Sequence, residues 1–238
     1  MKPNQKSEIS KKSQVQKMFD SISSEYDLLN RIITFNNHSL WKNNILKISK
    51  KLKPKRALDI ATGTADIAIK LGSINDCQVI GIDISEKMLN VGREKIIDKK
   101  MSKNVKLESG DAENLSFLNN TFDIITIGFG VRNFQNLKKG LKESLRVLKP
   151  KGSLIILETS VPENKIIKFF YRIFTRTYIP MMAFIFSKDK SAYNYLLDSA
   201  EDFPCGNNFA QILTSIGFKK VEIIPKFFGS STIYLALK

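Results

Sequence analysis

The sequence predicts a doubly wound α/β domain built on a seven-stranded, mostly parallel sheet, with two helices ahead of the first strand and a helical insertion before the last two. Three observations carry that prediction. Short apolar runs alternate with amphipathic stretches from Ala57 to Leu157, the pattern of strand–helix–strand units in a parallel sheet. The stretch Arg56–Leu71, RALDIATGTADIAIKL, reads as strand, tight turn and helix, the opening unit of such a sheet. Two strand-like runs close the chain with no helix between them, which marks a terminal antiparallel pair.

In chain order, residues 1–14 are polar and Lys-rich and read as a mobile tail, with 15–238 as a single domain. The first seventeen residues hold no apolar segment, so no secretion signal is expected. Val15, Met18, Phe19, Ile22, Tyr26 and Leu29 form one stripe of an amphipathic helix. Asn30 to His38 reads as a kinked connection, and Ser39 as the N-cap of a helix over Leu40–Lys50. Residues 15–53 thus form a helical cap that either covers a sheet edge or walls a pocket. Strands follow at Ala57–Ile60, Gln78–Ile82, Asn104–Glu108, Thr121–Ile127 and Ser153–Leu157, the last ending at Glu158. Helices lie after Ser85 and over Leu137–Leu148, the latter stopped by Pro150 and Gly152.

Residues 160–206 form the insertion. Ile166, Ile167, Phe169, Phe170, Ile173, Phe174 and Thr177 share one helical face, with Lys168, Arg172 and Arg176 on another. An apolar face beside a cationic stripe suits a helix lying at a membrane surface, or a lid packed on the core. Ala192–Phe203 and Phe209–Ile216 read as helices, the second capped by Gly217. Lys220–Ile224 and Thr232–Leu237 form the terminal pair.

Ligands of such sheets sit where strands end and helices begin. Asp59 and the small residues around Gly63 face that crevice. The turn lacks G-x-G-x-x-G, so it is poor for a pyrophosphate and better suited to an adenosyl ligand without phosphates, such as S-adenosylmethionine. Asp83 ends the second strand twenty positions after Gly63, a spacing that suits a carboxylate on both ribose hydroxyls. Asp111 can accept from an adenine amino group while the backbone at Ala112 meets a ring nitrogen. Gly128 and Gly130 at the end of a central strand let backbone approach a ligand.

Composition bounds the function classes. The 238 residues are 42% hydrophobic and 26% charged, an ordinary globular balance. Cys77 and Cys205 have no metal-type spacing and read as reduced thiols of a cytoplasmic protein. His38 is the single histidine, so no multi-His metal site is expected. Net charge is +15, but the basic residues are scattered without interleaved aromatics, which speaks against nucleic acid and leaves anionic lipid head groups as the better partner.

LDIATGTAD, GIDIS, GDAENL, TFDIITIGFGVRN and RVLKPKG resemble, in order and spacing, the motifs of Rossmann-like class I S-adenosylmethionine-dependent methyltransferases. MFDSISSEYDLLNRIITFNNHSLWK, FGVRN and YNYLLDSAEDFP resemble more specifically the menaquinone/ubiquinone biosynthesis C-methyltransferases (UbiE/MenG type), from about Val15 to the C-terminus. The resemblance implies cofactor contacts at Thr64, Asp83, Asp111 and Ala112. Gly128 departs from it, standing where the family often has serine. It implies methylation of a demethylated isoprenoid quinol, most simply demethylmenaquinol. Arg132 and Asn133 lie beside the crevice as candidates to stabilise a phenolate or orient a water, with His38, Tyr26 and Asp27 as further candidates. The alternatives are methylation of another small phenolic or lipophilic acceptor, and a nicotinamide-dependent oxidoreductase, against which the missing pyrophosphate fingerprint speaks. Assembly is left open, a homodimer included.

Overall fold

The computed structural model of the chain describes residues 1–186 and 189–238. Its centre is one sheet of β1 (Arg56–Ile60), β2 (Gln78–Asp83), β3 (Val105–Ser109), β4 (Phe122–Gly128), β5 (Leu148–Thr159), β6 (Val221–Lys226) and β7 (Ser231–Leu237). The strands lie in the order β3-β2-β1-β4-β5-β7-β6. β1 pairs in parallel with β2 and β4, and β4 with β5; β7 runs antiparallel between β5 and β6. The strand order reverses between β1 and β4, so their carboxyl ends flank the crevice where such sheets bind ligands. The predicted architecture is the observed one.

The helices are α1 (Lys11–Ile22), α2 (Tyr26–Ile33), α3 (Asn37–Leu52), α4 (Asp66–Gly72), α5 (Glu86–Asp98), α6 (Leu137–Val147), α7 (Lys165–Ile173), α8 (Ile179–Phe186), α9 (Lys190–Asp202) and α10 (Asn207–Ile216). The apolar runs of β1, β4 and β5 are covered on both faces, as parallel strands require. On one face Leu58, Ile60, Ile125 and Ile127 meet Leu141 of α6 and Leu213 of α10. On the other, Ala57, Ile124 and Ile155 meet Ile45, Ile67 and Ile96 of α3, α4 and α5. Each fully buried leucine or isoleucine contributes about 1.5–3 kcal/mol, which makes the sheet a rigid floor for the loops above it. A third cluster joins Val15, Met18 and Ile22 of α1 to Leu29, Met88, Ala183 and Tyr195. Because α1 and α9 both touch the turn Val131–Asn133 after β4, this cluster roofs the carboxyl edge of the sheet.

Local boundaries differ from the sequence reading in several places. The stripe from Val15 to Leu29 is two helices, broken where Ser23 turns its hydroxyl back onto the Asp20 carbonyl. The first of these begins at Lys11, capped by Ser10, so residues 11–14 are helical. Phe35 and Asn36 adopt left-handed φ of 47° and 62° and reverse the chain, so α3 starts at Asn37 and Ser39 lies inside it rather than capping it. Pro150 and Gly152 interrupt β5 instead of preceding it: Leu148 pairs with Phe122 before the register shifts and Ser153 pairs with Ile124. Pro225 sits within β6, an edge strand that tolerates a missing N–H. In the insertion, a π-helical turn at Phe174–Tyr178 joins α7 to α8, and Pro180 falls in the first turn of α8.

Candidate active site

Two clefts meet at the carboxyl end of β1. The first, of about 680 Å³, runs beneath α1 and is lined by Val15, Phe19, Asp83, Asp111, Ala112 and Phe134. The second, of about 1490 Å³, lies between α3, α9 and the insertion, with Trp41, Arg132, Phe174, Ile179 and Leu196 among its walls. Tyr26, Ala61, Gly63, Gly128 and Phe129 line both. A group held at that junction is reached from the two sides at once.

The β1–α4 corner is held by hydrogen bonds from its own side chains. Buried Asp59 accepts from Thr62 Oγ1 at 2.6 Å and from Thr126 Oγ1 at 2.5 Å. Burial pushes its carboxyl up to about 6, against the pull of those two donors. Asp59 therefore serves the turn, tying it to β4. Ala61, Gly63 and Ala65 have φ of 53°, 54° and 65°, and only glycine adopts that region without penalty. The strain is concentrated at the carboxyl end of β1, where the two clefts meet. A side chain built on Gly63 would meet nothing within 4 Å, so the space over that peptide is open.

Asp83 completes this rim. Its Oδ2 accepts from Gly63 N–H at 2.8 Å and its Oδ1 from Ser85 N–H at 2.9 Å. Burial raises its pKa, opposed by these backbone donors. The backbone N–H of Ile84 acts on the same carboxylate as a third donor. One strand further out, Asp111 Oδ1 accepts from Glu113 N–H at 2.9 Å and its Oδ2 pairs with Lys12 Nζ of α1 at 2.9 Å. Ala112 is buried beside it. Lys11 Nζ donates to the carbonyls of Arg132 and Phe134, at 2.7 and 2.8 Å, so α1 is latched across the first cleft. At Gly128 a Cβ would lie 2.3 Å from Ile67 Cδ1; the isoleucine fills the space a serine would need.

Thr64 lines the second cleft, and its hydroxyl is engaged there. It donates to Asp27 Oδ1 at 2.7 Å and accepts from Lys95 Nζ at 3.1 Å. Lys95 also pairs with Asp27, at 2.9 Å, and with Asp66, while Lys42 pairs with Asp66 at 2.7 Å. Burial alone would raise Asp66; the two ammoniums more than offset it and hold its carboxyl well below the ordinary range. This network draws on α2, α3, α4 and α5. Sequence reading named only Asp27 and Thr64 from it, because nothing local links Lys42 to Lys95.

His38 stands on the wall of the second cleft, Nδ1 2.9 Å from Thr34 Oγ1. Burial, then Lys42, lower its pKa to about 4, so the imidazole is neutral at pH 7. Arg132 and Asn133 are separated by the turn they share: Arg132 lines the second cleft and Asn133 the first. Arg132 Nη1 donates to Phe129 O at 2.9 Å and to Glu158 Oε1. Asn133 Oδ1 accepts from Tyr195 OH at 3.2 Å. Glu158 and Tyr195 were not recognised as site residues from sequence.

An adenosyl sulfonium fits the residues present: an apolar slot under α1 for a base, the Asp83 rim for a ribose, and the open Gly63 corner for the amino-acid end. The fold and its clefts define the class I S-adenosylmethionine-dependent methyltransferases. Among solved structures, a SAM-dependent methyltransferase from Aquifex aeolicus superposes with TM-score 0.65 at 20% identity, covering 92% of this chain and 97% of that one. An O-methyltransferase family protein from Burkholderia thailandensis superposes with TM-score 0.68 at 11% identity, covering 94% and 62%. The chain belongs to the ubiE/COQ5 methyltransferase family, whose profile matches residues 7–238. A demethylmenaquinone methyltransferase of Bacteroides fragilis is 39% identical over 229 residues, 96% of this chain and 94% of that one. One of Staphylococcus haemolyticus is 40% identical over 230 residues, covering 96% and 95%.

Proposed function

We propose that this chain is a S-adenosylmethionine-dependent C-methyltransferase that converts demethylmenaquinol to menaquinol. The observation that carries the reading is the pair of clefts: a large, mostly apolar acceptor cleft and the nucleoside cleft share the walls Tyr26, Ala61, Gly63, Gly128 and Phe129. When bound, the cofactor supplies an electrophilic sulfonium methyl. The chain's residues supply position. Asp83 takes the ribose hydroxyls, Asp111 and the Ala112 backbone the adenine edge, and the Gly63 and Gly128 backbones hold the donor at the junction. The acceptor ring carbon gains nucleophilicity as a neighbouring phenol loses its proton. Arg132, walled into the acceptor cleft, stabilises that phenolate as a fixed cation and is itself no base. Neutral His38 on the far wall is available to accept a proton, directly or through water.

Mass spectrometry of the purified protein incubated with S-adenosylmethionine and short-tailed demethylmenaquinol tests this. Methylated naphthoquinol is the expected product; turnover of other phenols with this substrate untouched would overturn the assignment.

We also propose that the acceptor arrives from a lipid surface. Among the described residues no helix is long and apolar enough to cross a membrane. Ile166, Phe169, Phe170 and Ile173 of α7 and Phe184 and Ile185 of α8 are exposed, beside Lys165, Lys168 and Arg172. An apolar stripe next to a cationic one lies well in anionic head groups. Arg176 is instead paired with Glu201 at 2.9 Å. Co-sedimentation with anionic vesicles is expected for the wild type and lost in K168E/R172E; equal binding of both would remove the idea.

A further inference from the structure

One face of α9 presents Tyr193, Leu196, Leu197 and Ala200 to the acceptor cleft, at helical spacing i, i+3, i+4 and i+7. Three of these are apolar. The fourth carries a hydroxyl that is buried without a hydrogen-bond partner among the described residues, on a side chain only 3% exposed. Two other buried tyrosines are satisfied: Tyr195 OH donates to Asn133 Oδ1 at 3.2 Å, and Tyr234 OH accepts from Gly206 N–H at 2.7 Å. A buried O–H left unmade costs about 1–3 kcal/mol. The ring of Tyr193 packs in the apolar roof with Ile22, Leu29 and Ala192, where a phenylalanine would keep every such contact. The packing therefore explains the ring and not the oxygen.

Arg132, which lines the same cleft, carries a second orphan donor, Nε, and its ion-pair partner Glu158 an orphan acceptor, Oε2. Two unpaired donors on residues that line one mostly apolar cleft match a ligand that brings acceptors of its own, as a ring bearing two oxygens does. Burial, then the neighbouring Tyr26, Glu25 and Asp189 side chains, push the Tyr193 phenol far up, so it is a donor and not a base. We propose that Tyr193 donates a hydrogen bond to a ring oxygen of the acceptor and thereby fixes which ring carbon faces the junction of the clefts. This rests on the quinol reading above and assigns that site a residue for orientation.

The test is Tyr193→Phe, measured four ways. Oxidised demethylmenaquinone with a short tail is the non-reactive probe, since its carbonyl accepts the same hydrogen bond. Its calorimetric affinity is expected to fall about 10- to 100-fold, as loss of one buried donor implies. KM for the quinol rises in parallel, whereas affinity for S-adenosylhomocysteine is unchanged. The unfolding temperature is unchanged or higher, because an unpaired group has gone. Wild-type quinone affinity and KM in the variant would overturn the proposal. So would a variant that melts early, or fails to fold, since either result gives the hydroxyl a structural partner instead. A wild-type protein that neither binds the quinone nor methylates the quinol would overturn the quinol reading itself, a result distinct from normal wild-type turnover with an unaffected variant.

Discussion

Arg132 and Glu158 form an ion pair withdrawn from water, with Nη1 at 2.5 Å from Oε1 and side chains 9% and 0% exposed. Thr159 donates to the same Glu158 oxygen through N–H at 2.8 Å and through its hydroxyl at 3.2 Å. Removing one partner strands a buried charge, which costs about 3–5 kcal/mol, whereas replacing both by apolar residues of similar volume is often neutral. E158Q is therefore expected to lower stability strongly in urea unfolding, and R132M/E158L to recover most of it. The double variant should bind S-adenosylhomocysteine normally and lose activity at least about tenfold. Full activity in that double variant would show that the guanidinium does nothing in the acceptor cleft.

Asp83 is expected to dominate binding of the spent cofactor. Hydrogen bonds to a charged acceptor are worth about 1.5–3 kcal/mol each, so D83A should weaken S-adenosylhomocysteine by more than about tenfold in calorimetry. Circular dichroism should show the sheet intact. Unchanged affinity would remove the ribose assignment.

Two groups, buried Asp59 and half-buried His38, give opposite pH signatures. Asp59 titrates at about 6 in the fold against an ordinary 3.8, so the native state binds its proton more tightly between those values. Stability contributed by this group is lost as pH rises through that window, by up to about 3 kcal/mol relative to D59N. His38 runs the other way. Its folded value of about 4 lies below the ordinary 6.5, so the unfolded chain binds the proton more tightly and stability is lost as pH falls from 6.5 toward 4. Urea titrations of wild type, D59N and H38N at several pH values separate the two slopes. For the same reason His38 should leave no inflection near 6.5 in the pH profile of kcat/KM.

Gly128 and Ile67 should behave as a coupled pair. A Cβ at 128 would lie 2.3 Å from Ile67 Cδ1, so G128S overpacks the corner at a cost of about 1–3 kcal/mol. Shortening the neighbour in G128S/I67V should return much of the melting temperature. A double-mutant cycle with no coupling would mean that the corner yields without Ile67.

What was legible in the sequence is what repeats locally. The apolar runs of β1, β4 and β5 and the turn around Gly63 announced the sheet and its crevice, and Asp83 followed from spacing along one βα unit. Contacts between distant segments had no such signal. Lys42, Asp66, Lys95 and Asp27 come from four helices, and Arg132 meets Glu158 across two neighbouring strand ends. The break after Ile22 was hidden because the apolar stripe keeps nearly the same phase through α1 and α2. His38 was misplaced because the reversal just before it uses Phe35 and Asn36 with positive φ, where a glycine would have signalled the turn.

The chain has one tryptophan, Trp41, and it stands at the acceptor cleft with its ring 5.9 Å from Phe129 and 6.4 Å from Phe227. No other indole contributes, so emission excited at wavelengths that the six tyrosines do not absorb reports on that cavity. Filling it with a redox-active aromatic ring should quench the signal, while loading only the nucleoside cleft should leave it nearly unchanged. The protein thus carries its own optical probe of acceptor occupancy, with no label to attach.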